Sequence, residues 1–202
     1  MAGAGFSVFD LRRELDVDFR AGNLFGEAAS VEPSAWLRQS VEMGLAVGSG
    51  NERARAERLV SPVLLALCAR NDRTFSVHSA AVAGTAQGIG GHHGFTCSLN
   101  RLPDFIQAPV FLVVDTCYRE ADEELLPLLQ QLIAARRLNE TSGHPTQPLY
   151  GCSTTGTEWR FLKYEGNEFI LDEQRFLLSE LPTLLGALQA VVNASQLAIQ
   201  KS

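Results

Sequence analysis

The segment LPDFIQAPVFLVVDTC, residues 102–117, decides the fold. From Val110 to Val114 it is apolar at every position, the pattern of a strand covered on both faces. Such a strand needs a layer above and below it, so it predicts a mixed α/β sandwich. It ends on Asp115, and a carboxylate at the end of a doubly covered strand is costly unless something pairs with it. Asp104 stands eleven residues earlier with Pro109 between, a spacing that suits a strand, a short turn and a second strand. Two such carboxylates on adjacent strands would form a divalent-metal site, because hard Mg²⁺ prefers carboxylate oxygen. A metal held there can stabilise in-line displacement at phosphate and lower the pKa of the attacking water.

Upstream of this segment, Phe6 to Phe25 alternates loosely and predicts a short strand or small helix. Ser34 can cap a helix whose Trp36, Leu37, Val41, Leu45 and Ala46 fall at helical spacing until Gly48 and Gly50 end it. The stretch NERARAERLVSPVLLALCARND reads as a second helix, which Pro62 should kink or split near Ser61. RTFSVHSAAVA is β-prone, GTAQGIGGHHG reads as a loop, and FTCSLN and RLPDFIQ read as short strands. Downstream, Glu120 to Leu138 is helical, with acids at its start and Arg136 and Arg137 in its last turn, as the helix dipole favours. QPLYGCSTT and EWRFLKYEG are strands joined by a turn at Thr155-Gly156, EFILDEQRFLL continues the β zone, and a leucine-striped helix ends the chain.

Composition bounds the function. The 202 residues are 46% hydrophobic and 20% charged, which excludes a disordered or low-complexity chain. Formal charge is −6, so contact with nucleic acid would need a local positive groove. Fifteen of the 17 basic residues are Arg, and Lys163 and Lys201 are the two lysines. The four cysteines form no CxxC pair and no Cys/His ligand spacing, so neither a zinc site nor a disulfide framework is expected. No apolar run approaches the ~20 residues of a membrane span, and the N-terminus does not read as a signal peptide. The expectation is a reduced, cytoplasmic protein without membrane contact.

The order P-D, apolar strand, D-x-C resembles the PD-(D/E)xK motif of the restriction-endonuclease-like nuclease superfamily. NERARAERLVSPVL, QQLIAARRLN and PLYGCSTTGTEWRFLK are similar to segments of a bacterial group of that superfamily, and the likeness spans roughly residues 50–190. The resemblance implies an α/β fold with an αβββαβ core, a central mixed sheet flanked by helices. It implies a single domain over 1–202, with an N-terminal extension and helix over 1–48 and the nuclease-like core over 50–200. Carried over by position, Glu52 or Glu57 is the helical acid that supports the metal. Asp104 is the D of PD, Asp115 is the (D/E), and Gln131 faces the site. The metal set implied is Glu52, Asp104 and Asp115, holding Mg²⁺ or another divalent cation.

One position departs from the pattern: Cys117 stands where the motif has lysine. A neutral thiol cannot supply the positive charge that orients water and stabilises developing charge. Lys163, Arg119 or Arg136 could replace that charge from a neighbouring element, although Arg is too basic to deprotonate water. Three readings stay open. The first is a degenerate nuclease-like domain that binds nucleic acid or assembles other components. The second is an active Mg²⁺-dependent DNA endonuclease with the lysine role displaced, and the third a structural oligomeric protein. DNA contact would run over Arg101, Arg119, Arg136 and Lys163, with Arg137 and Arg160 as further groove candidates, and a homodimer is the expected assembly. Against these stand plainer readings: Cys117 as a small buried hydrophobe, Glu52 with Arg55 and Arg53 with Glu57 as helix-surface pairs, and His92-His93 as loop surface.

Overall fold

Pro62 marks where the second helix changes pitch. Lacking an N–H, it cannot bond to the Arg58 carbonyl four residues back. The ladder adjusts upstream: the Ser61 N–H bonds to the Ala56 carbonyl, five residues back, and Ala56–Val60 form a π-helical turn. This turn joins α2 (Glu52–Arg55) to α3 (Ser61–Arg70). Asn51 caps α2 by accepting from Ala54 N at 2.8 Å, and Ser34 caps α1 (Ala35–Ala46) by accepting from Leu37 N at 3.2 Å. The computed structural model describes residues 17–26, 29–79, 93–100, 104–117, 125–145 and 147–200.

Among these residues one mixed sheet of seven strands forms the centre. Its strands are β1 (Asp18–Gly22), β2 (Ser76–His78), β3 (His93–Ser98), β4 (Val110–Thr116), β5 (Leu149–Thr154), β6 (Glu158–Glu165) and β7 (Glu168–Leu177). Their spatial order is β1-β7-β6-β5-β4-β3-β2. β4 runs antiparallel to β3 and parallel to β5, and a parallel neighbour requires a crossover, supplied by α4 (Leu125–Thr141). β5, β6 and β7 form an antiparallel meander, turned at Gly156 with φ +87°. β1 adds in parallel at the edge of β7.

The apolar run of β4 is buried at every position, as a strand between two layers must be. On one face Phe111, Leu112, Val114, Trp159, Phe161 and Phe176 pack with α1, the α2–α3 helix and α5 (Leu181–Gln200). On the other, Val110, Val113, Leu162, Tyr164 and Phe169 pack with Leu128, Leu129, Leu132 and Ala135 of α4. Each fully buried side chain of this size contributes about 1.5–3 kcal/mol.

The α/β class with helices on both faces of a mixed sheet is as the sequence predicts. RLPDFIQ is a correction. Asp104 and Phe105 form a turn, both exposed, and among the described residues of this segment, 104–109, no strand precedes Val110. Pro109 brings no N–H to a ladder. Asn100 and Gln107 bond to each other through their side chains at 2.6 Å instead of serving a strand pair. The opening stretch forms β1 over Asp18–Gly22, and its earlier residues lie outside those described, as do residues 80–92 of the β-prone and glycine-rich segments.

Candidate functional site

Side chains alternate along β4, so Val113, Asp115 and the following Cys117 share the face turned to α4. Asp115 is fully buried. Register carries the row outward: Asp115 lies opposite Gly94 on β3 and Ser153 on β5, and Ser153 lies opposite Arg160 on β6. Directly opposed residues point to the same face, so a carboxylate, a hydroxyl and a guanidinium stand on three consecutive strands. Cys117 closes the group. Its N–H bonds to the Thr154 carbonyl at 2.9 Å, and its Sγ, in a residue 1% exposed, lies 3.7 Å from Ser153 Oγ. Burial pushes the pKa of the neighbouring Cys152 thiol well up, and the Cys117 and Asp115 charges add to that rise.

Gly94 leaves room beside the carboxylate. A Cβ there would meet the Val114 carbonyl at 2.9 Å and Asp115 Oδ1 at 3.6 Å. Gln131 is buried on α4 among Leu128, Leu132 and Ala135, the residues that pack on this face of the sheet. Asn139 is tied to Val110, so Gln131 sits eight residues, about 12 Å, along the helix from that anchor. Asp115 is five residues, about 16 Å, along the strand from the same anchor. Gln131 is 5% exposed, and its Oε1 has no hydrogen-bond partner among the described residues. The cluster lies at the carboxyl ends of the parallel strands β4 and β5, where open α/β sheets hold their ligands.

The other predicted site residues go elsewhere. The β3–β4 hairpin pairs His93–Ser98 with Val110–Thr116, which leaves Asp104 exposed in the connecting loop. Its charge acts on His78 of the edge strand β2. The strand–turn–strand reading that set Asp104 beside Asp115 is thereby corrected: the two aspartates are not on adjacent strands. Glu52 opens α2, whose continuation packs Ala56, Leu59 and Val60 on the opposite face of the sheet from α4. Glu57 pairs with Arg53 at 2.8 Å on the surface. Among the described residues no group of three His, Cys, Asp or Glu side chains could hold a metal. One carboxylate and one amide oxygen do not make the two-carboxylate set that the expected Mg²⁺ centre uses.

The cations are placed with equal clarity. Lys163 is three residues from Arg160 on β6, hence on the opposite face, and its Nζ bonds to Glu165 Oε1 at 2.8 Å. Arg136 donates to the Pro145 carbonyl at 2.8 Å and the Tyr164 carbonyl at 3.1 Å, and its guanidinium lies 5.2 Å from the Tyr164 ring centroid. The bond to Tyr164 on β6 clamps α4 to the sheet, and the bond to Pro145 holds the connection between α4 and β5. Arg137 is exposed farther along α4, and Arg101 and Arg119 lie outside the described residues. Sequence reasoning overlooked Ser153 and Gly94. A polar residue directly after the Leu149–Cys152 run was the available signal for Ser153, and nothing local marks Gly94. No family model, curated protein or solved structure matches the chain.

Proposed function

We propose that this chain is a nuclease-like α/β domain with a degenerate hydrolytic centre, which acts as a nucleic-acid-binding or assembly module rather than as a phosphodiesterase. One observation carries the reading: the side chain that follows Asp115 on the same face is the buried thiol of Cys117, against Ser153, where hydrolysis would need an amine. The order α2–α3, β2, β3, β4, α4, β5, with β4 and β5 parallel, supports the αβββαβ comparison. The exposed Asp104 and the Glu165-bound Lys163 support loss of catalysis. Arg160 has the right sign to contact an anion but is too basic to act as a general base.

The test is incubation of the purified chain with plasmid and single-stranded DNA in Mg²⁺ or Mn²⁺, beside fluorescence anisotropy on labelled DNA. Intact DNA is expected. Saturable binding that weakens in Arg160→Gln would favour the nucleic-acid role, and its absence would favour assembly. Cleavage that disappears in Asp115→Ala would overturn the degenerate reading.

A further inference from the structure

We draw no further inference here: the strongest candidate, the exposed apolar flank of α1 formed by Trp36, Met43 and Val47 with the groove of about 600 Å³ beside Trp36, carries nothing because nothing in the structure shows what covers it.

Discussion

Asn139 of α4 grips both backbone polar groups of Val110 in β4: its Oδ1 accepts from Val110 N at 2.8 Å and its Nδ2 donates to Val110 O at 2.7 Å. The β3–β4 ladder is irregular here, since Cys97 pairs with Leu112 while Ser98 pairs with Val110. A side chain thus takes over where the ladder slips, and it fixes the height of α4 over the strand that ends at Asp115.

Loss of that grip should be costly. Asn139→Leu strips two buried backbone groups of their partners and should lower unfolding free energy by about 3 kcal/mol, read from the urea midpoint at constant slope. Asn139→Asp keeps the acceptor for Val110 N but sets a buried carboxylate oxygen against Val110 O, so its loss should ease as pH falls and the protonated carboxyl can donate there. Equal stability of Asn139→Leu and the wild type would show that water serves Val110 as well.

Close helix packing depends on missing Cβ atoms. One added at Gly44 would lie 2.5 Å from the Arg58 carbonyl oxygen, and one at Gly186 2.4 Å from the Ala29 carbonyl oxygen. Gly44→Ala and Gly186→Ala should each destabilise by about 1–3 kcal/mol, because backbone rather than a flexible side-chain tip must move. Gly50 has nothing within 4 Å of its added Cβ, so Gly50→Ala serves as the control with no comparable loss. Thermal denaturation of the three variants separates these outcomes.

Stability should respond to pH through two buried groups of opposite sign. Burial lowers the His78 pKa below its usual value, and the Asp104 charge partly opposes the shift. The unfolded chain then takes up the proton first, so the His78 share of stability is present above about pH 6.5 and is lost as pH falls toward the lower folded value. Burial pushes Asp172 up, with the Gln174 and Leu24 N–H bonds pulling it down, Glu173 adding a rise and Arg160 a smaller fall. Its native state holds the proton more tightly, so its share is present at low pH and is lost as pH rises through the raised folded value. His78→Gln should flatten the decline in urea midpoint from pH 7 to 5, and Asp172→Asn should raise the midpoint at pH 7. Unchanged pH profiles in both variants would refute the assignments.

Much of the layout was legible because it is local. Ser34 caps where a side-chain acceptor precedes an apolar stripe, and Pro62 perturbs its helix through a missing donor. The unbroken Val110–Val114 run announced a strand between two layers, and β5, β6, β7 and α5 followed from period and turn residues in the same way. RLPDFIQ misled because Phe105 and Ile106 sit between Pro103 and Pro109, and Gln107 found its partner in Asn100 rather than in a ladder.

Residues 102–117 on their own determined a doubly covered strand that ends in a carboxylate followed by a thiol, because side-chain period and residue chemistry are properties of neighbours in the chain. Pairing determined the rest. The placement of Ser153 beside Asp115 and of Arg160 beside Ser153, Lys163 on the far face and Asp104 in a loop depends on strand register, which joins residues tens of positions apart. A shift of one residue would have reversed each of those faces. Which stripe of α1 meets the core was likewise a tertiary outcome, since the helix carries two apolar flanks and the sheet can cover one.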